Sequence, residues 1–298
     1  MPRRFILCIA IWGVSACAGN LPPAPATLPV TAEVDIPALD TATADALVLD
    51  DLAAAAPDER IVPAFDAQRV RWDIDVETYS AHPRVRYYLG YFDGIARTTM
   101  EIFLQRGARY EQMIRRRFEA EGLPGDLGYL ALIESGYSNE AVSRSYAVGM
   151  WQFIRGTGRL YGLRVDSWVD ERRDPVKATD AAARHLRDLR DRFGSLYLAA
   201  AAYNAGAGKV SRGLAASDTM DDTDDDATSD AAFFRLASAD LLAAETQDYV
   251  PKLIASALIA KAPERYGCVA PSTVPFEYDS LVVPDGSGMV AMQFDIAL

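Results

Sequence analysis

The sequence predicts a mainly α protein: a helical body beginning near residue 120, with a helical extension in front of it. Three observations point there. Apolar residues recur at three- and four-residue steps through much of 82–118 and 176–193, the spacing of a buried helical stripe. An alanine-rich stretch, Leu196 to Ala205, is closed by Gly206 and Gly208. Alternating polar positions of strand type are confined to 268–298. The 298 residues are 50% hydrophobic, 24% charged and 10% aromatic, which excludes a wholly disordered chain.

In chain order, Arg3 and Arg4 precede a twelve-residue apolar run, Phe5 to Ala16. The run is short for a bilayer-spanning helix and suits the apolar region of a signal peptide. It closes on Val14-Ser15-Ala16-Cys17, which resembles a bacterial lipoprotein cleavage box with Cys17 as the acylated residue. An ordinary signal peptide with an incidental cysteine is the alternative. Ala18 after the cysteine, by resemblance to known lipoproteins, implies the periplasmic side of an outer membrane, with the lipid as anchor. Residues 17–61 then read as a tether. Eight acids and no basic residue lie between Glu33 and Glu59, and no aromatic falls between Gly19 and Arg60.

Residues 62–119 form the helical extension. Val85, Tyr88, Leu89 and Phe92, then Tyr110, Met113, Ile114 and Phe118, place one helical stretch over His82–Arg117. Arg106, Arg109, Arg115, Arg116 and Arg117 lie mostly off the second stripe and read as a solvated face. Gly122-Leu123-Pro124-Gly125 breaks the helix. Asp126 then reads as the N-cap of a helix to Glu134. Glu134 stands seven residues after Leu127, on the same apolar face. A carboxyl entering a partly dry site favours its protonated form, which a general acid near neutral pH requires. A helix-end glutamate turned to solvent is the alternative. Ala147–Leu160 reads as a helix, 162–175 as a loop, 176–193 and 196–205 as helices. The run 213–232 reads as an acidic solvent loop, with seven aspartates between 215 and 230 at spacings unlike a calcium loop. A last helix runs from about Leu241 to Ala262 within 233–265. Residues 266–298 are left as a short tail, with strands or fraying both open.

Composition also limits function. Thirty basic against forty-two acidic residues give a net charge of −12, so no large basic face suits nucleic acid. Two histidines and three cysteines cannot build a rich metal site or a disulfide framework. Only Cys268 remains as a thiol once Cys8 leaves and Cys17 is acylated. No cofactor is expected.

Five blocks, in order, resemble the lytic transglycosylases of the soluble-lytic-transglycosylase type, in the lysozyme superfamily, and the membrane-bound type D group within them. They are Gly122–Leu127 leading to Ile133-Glu134-Ser135-Gly136-Tyr137; Ala147–Phe153 followed by Thr157 and Tyr161-Gly162-Leu163; Val169–Pro175; Ala201–Gly206; and Glu245–Lys252. With residues 65–117, the likeness covers about 200 residues. It implies an α+β lysozyme-like domain over 120–212 with a small hairpin. It also implies cleavage of peptidoglycan between N-acetylmuramic acid and N-acetylglucosamine, leaving a 1,6-anhydro end. The catalytic glutamate of the family maps onto Glu134. Ser143 is implied near the reacting carboxylate or the acetamido group, and Gln152 on sugar. Tyr203 is implied beside Glu134, Asn204 as an orienting residue, and Tyr249 as closing the site. Met150 and Phe153 are implied as apolar walls, with core packing equally open for both. Met150-Trp151 varies slightly from the pair more usual before this glutamine. Asp126 and Glu140 have no catalytic role in the pattern, and Asp170 and Asp174 read as capping or loop-fixing. Implied partners are peptidoglycan strands, a membrane through the lipid, and other cell-wall enzymes. A hydrolytic muramidase of the same fold and a non-catalytic glycan-binding protein are the alternatives.

Overall fold

The computed structural model describes residues 71–218 and 229–278. The signal segment, Cys17, the tether, most of the acidic run and the end of the tail lie outside the described residues. Among the described residues ten α-helices succeed one another: α1 (Val76–Tyr79), α2 (Pro83–Asp93), α3 (Arg97–Ala120), α4 (Leu130–Ser135), α5 (Arg155–Leu160), α6 (Pro175–Phe193), α7 (Leu196–Ala205), α8 (Ala207–Asp218), α9 (Asp230–Ser238) and α10 (Ala244–Lys261). Among the described residues, β pairing is limited to isolated antiparallel bridges, Val142 with Val148, Val148 with Phe153, and Val165 with Asp170. The first two fold 141–153 into the small hairpin-like turn that the family likeness implies.

The core is organised around α10. From Tyr249 to Ile259 its side chains are buried on nearly every side, Lys252 excepted. It packs against α2, α4 and α7, while α7 also packs on α6. The alanines of α7, Ala199 to Ala202, are fully or almost fully buried. Small side chains let neighbouring helix backbones approach closely, and burial of this apolar surface drives the assembly. α6 starts where chemistry directs it. Pro175 occupies the first turn, and the Asp174 carboxylate accepts from the backbone N–H groups of Val176 and Lys177, both at 2.9 Å.

Several sequence expectations are corrected. The stretch 82–117 is two helices, not one. α2 ends at Asp93, and Arg97 folds back to donate to the Asp93 carbonyl at 2.8 Å and its carboxylate at 2.6 Å. That side-chain cap satisfies the Asp93 carbonyl at the end of α2 and ties it to the first residue of α3. Residues 147–154 are not helical. Gly149 sits at φ +82°, and a Cβ there would lie 1.9 Å from the Arg172 carbonyl oxygen, so the turn requires glycine. Helix begins only at Arg155. Asp126 is no N-cap: it is fully buried in a 3₁₀ turn, Gly125–Tyr129. Its carboxylate accepts from the Asp73 N–H at 2.7 Å and pairs with Arg115 at 3.4 Å and Lys261 at 2.5 Å. Arg115 and Arg117 are correspondingly not simple solvated charges, for Arg117 pairs with Asp180. The acidic run is not all loop. Residues up to Asp218 continue α8, and Asp230 opens α9, accepting from Ser195 Oγ at 2.6 Å and Tyr197 N at 3.0 Å. The tail 268–278 forms no strand but runs along α3, with the Phe276 N–H on the Arg109 carbonyl at 2.7 Å.

Candidate active site

The short helix α4 presents Glu134 at its C-terminal end. Leu130, Ala131 and Leu132 bury the rest of the helix. Gly136 ends it at φ +57°, in a position where a Cβ would meet Phe103 at 2.1 Å. Ser135 Oγ donates to the Met150 carbonyl at 2.8 Å, which ties the helix end to the 141–153 turn. Glu134 is thereby fixed through its backbone and stands half-buried in the wall of a cavity of about 670 Å³.

Five elements besides α4 build that cavity. The 141–153 turn contributes Ser143, Gln152 and Phe153; α5 contributes Thr157 and Leu160; α6 and α7 contribute His185, Tyr203 and Asn204; α10 contributes Glu245, Tyr249 and Lys252. Tyr249 Oη donates to Glu134 Oε1 at 2.5 Å. Tyr203 Oη donates to the Trp151 carbonyl at 2.7 Å. Tyr249 on α10 thus bonds the Glu134 carboxylate directly, and Tyr203 on α7 stands close enough to feel its charge, as expected. Both phenols have pKa values raised well above the usual tyrosine range, first by burial and then by the negative charge of Glu134. They stay protonated at neutral pH and act as donors.

The remaining expected residues are distributed as follows. Ser143 lines the cavity, and its hydroxyl meets Ser145 Oγ and the Ala147 N–H, each at 3.0 Å. Gln152 adopts φ +46° and donates Nε2 to the carbonyls of Gly149 at 2.8 Å and Ala141 at 3.4 Å. Its amide hydrogens brace the turn, and its Oε1 is the end suited to accepting from a ligand. Phe153 lines the cavity edge-on to Tyr203, with ring centres 6.2 Å apart. Asn204 joins α7 to α10, donating to Glu245 Oε1 at 2.9 Å and accepting from Thr246 Oγ1 at 2.8 Å. Met150 is a correction: it is fully buried and absent from the cavity lining, so core packing is its role.

Glu245 is the second carboxylate of the lining, already engaged by Asn204. Glu140 is exposed and pairs with Arg173, and Asp170 holds Arg172. Sequence reasoning missed His185 and Lys252 as lining residues. Lys252 follows Tyr249 by three positions on a helix, a spacing that places both on one face. Nothing in the pattern around His185 marks it. Among the described residues, no group of three or more His, Cys, Asp or Glu side chains is placed to hold a metal ion.

Residues 115–225 match the Transglycosylase SLT domain. The chain is 34% identical to the membrane-bound lytic murein transglycosylase D of Escherichia coli (strain K12) over 169 residues, which is 56% of this chain and 35% of that protein. It is 36% identical to the peptidoglycan transglycosylase gp16 of Escherichia phage T7 over 104 residues, 34% of this chain and 8% of that protein. The matches thus span about a third or less of these relatives.

Proposed function

We propose that this chain, which carries a transglycosylase SLT domain and resembles the type D lytic murein transglycosylases, cleaves the glycan of peptidoglycan between N-acetylmuramic acid and N-acetylglucosamine. The observation that carries the reading is Glu134 held by Tyr249 in the wall of a cavity lined by amide, hydroxyl and aromatic groups. Such a lining suits a largely uncharged sugar ribbon. Glu134 donates its proton to the glycosidic oxygen as the C1–O bond breaks. The acetamido oxygen of the muramic residue bonds to C1 and takes up the developing charge. Glu134, now a carboxylate, removes the proton of the C6 hydroxyl as that oxygen displaces the acetamido oxygen, and a 1,6-anhydro end results. One carboxyl serves both proton transfers, unlike the paired carboxylates of most glycosidases. The engagement of Glu245 by Asn204 supports the one-acid scheme.

Attachment through an acylated Cys17 on the periplasmic side of an outer membrane belongs to the same proposal. A lipid anchor and tether would raise the local concentration of the cleft at the wall. Among the described residues no helix is long and apolar enough to cross a membrane.

Digestion of purified sacculi, with mass analysis of the products, tests the reaction. Anhydro ends are expected from the native chain, and reducing ends would assign hydrolysis instead. Glu134→Gln is expected to abolish cleavage while retaining the native helical content. A Glu134→Gln protein that still cut at the normal rate would remove the assignment.

A further inference from the structure

His185 is a half-buried titratable group, one of its ring nitrogens fully enclosed, that the proposed reaction does not use. It lies on α6 in the cavity wall, with its ring 4.6 Å from that of Tyr161 and 5.0 Å from that of Tyr203. Nδ1 is sealed inside the protein without a hydrogen-bond partner. Burying an unpaired polar nitrogen costs free energy, and an orphaned N–H is rarer in proteins than an orphaned acceptor. The ring therefore favours the tautomer with a bare lone pair at Nδ1, which leaves the proton on Nε2.

We infer that His185 is a substrate-binding residue of this cleft, its Nε2–H donating to a neutral oxygen of the glycan, either an acetamido carbonyl or a ring hydroxyl. This rests on the glycan-cleaving reading and adds a contact to it. The surroundings fit an uncharged donor. Tyr161, Tyr203 and Phe153 flank the ring; Asp188, one turn from it, is engaged by Arg187 and by the Tyr161 hydroxyl. Burial lowers the imidazole pKa to about 4, so the ring stays neutral through the working range and presents a donor without a net charge. An aromatic floor with one N–H is a common arrangement for reading a sugar, since apolar faces stack while the polar edge orients.

The test uses the full chain with Glu134→Gln as an inert parent. The probe is soluble peptidoglycan glycan strands freed of their peptides by an amidase, titrated calorimetrically. Adding His185→Phe keeps a ring packed between Tyr161 and Tyr203 and deletes the donor; it is expected to weaken binding about 3–10-fold, one lost hydrogen bond. Because the orphaned nitrogen also goes, the thermal midpoint of the free protein is expected to hold or rise. His185→Gln, which restores a donor, is expected to bind more tightly than the Phe variant. Equal binding by the parent and the Phe variant would overturn the role of His185 alone. So would equal losses for Phe and Gln accompanied by a fallen midpoint, which would mark a packing residue. A parent that binds no strand would overturn the glycan reading itself and this contact with it. Repeating the titration with N-acetylglucosamine oligomers and their de-N-acetylated forms separates the two acceptors. A penalty confined to the acetylated oligomers identifies the acetamido carbonyl; a penalty on both identifies a hydroxyl.

Discussion

Two tyrosines stand close to the Glu134 carboxyl and do different things. Tyr249 touches Glu134 directly, and Tyr203 fixes the backbone at Trp151. Deleting the hydroxyls one at a time should separate these roles. Tyr249→Phe removes a hydrogen bond to an ionisable group in a half-dry site, a contribution of about 1.5–3 kcal/mol. Cleavage of sacculi is expected to slow by roughly 10–100-fold, and the unfolding free energy to fall by a comparable amount as the Glu134 carboxyl loses its donor. Tyr203→Phe leaves the Trp151 carbonyl without that donor, so about 1–2 kcal/mol of stability should be lost, with the smaller effect on rate. Turnover and denaturant unfolding measured on both variants check the contrast, and a reversed order of rates would refute it. At this scale the sequence is uneven. Glu134 and Tyr249 were legible because they stand in short blocks that resemble a known family. The direction of the Tyr203 hydroxyl was not, because two tyrosines near one acid are indistinguishable until the backbone carbonyls are located. Met150 was ambiguous for a related reason: apolar side chains pattern alike whether they meet a ligand or the core.

Among the elements, the long helices announced themselves and the turns did not. α6 and α7 match the apolar spacing and the glycine stop closely, since burial on one face writes a 3.6-residue period into the chain. The 141–153 turn carries no such period. Its form follows from Gly149 pressed against a carbonyl and from Gln152 bracing two others, contacts made with distant or non-periodic partners. The 3₁₀ turn before α4 shows the same limit. Asp126 has the sequence look of an N-cap, yet it is a buried carboxylate joining three pieces of chain: the bend at Asp73 before α1, α3 through Arg115 and the end of α10 through Lys261. Asp126→Asn keeps the shape and removes the charge that both cations meet. Lys261 has only 11% of its side chain exposed, while Arg115 has 32% and a second partner in Asp73. The cost should therefore fall below that of a fully buried pair, at about 2–3 kcal/mol. Urea unfolding at neutral pH reads it directly, and an unchanged midpoint would show that water serves both cations equally well. Because Asp126 lies outside the cavity lining, the cleavage rate of the folded fraction is expected to persist.

Across the whole molecule, acid stability connects the cavity wall to the fold. His185 has an unfolded-state pKa of 6.5 and a folded-state value of about 4, lowered chiefly by burial. Between those values the unfolded chain binds a proton that the native chain does not. Stability from this group is thus complete above about pH 6.5 and is lost as pH falls toward 4. The full loss amounts to ~3 kcal/mol, a large share of what holds a typical domain together. Other groups titrate in acid too. Asp170 and Glu171 have lowered pKa values, chiefly from hydrogen bonds to Arg172 and Lys177, and their contributions also fade as pH drops. The native protein alone therefore cannot isolate the histidine, but a comparison can. His185→Phe retains every carboxylate and His82, whose pKa burial also lowers, and removes only the imidazole in the cavity wall. Between pH 7 and pH 4.5 the native chain is expected to lose about 2–3 kcal/mol more unfolding free energy than the Phe variant. Parallel pH profiles would mean that the native ring accepts its proton about as readily as a free histidine, and hence that the cavity wall at His185 is open to water. Diverging profiles would mean that Nδ1 stays sealed and the ring neutral, the condition under which Nε2 can act as an uncharged donor to the cavity.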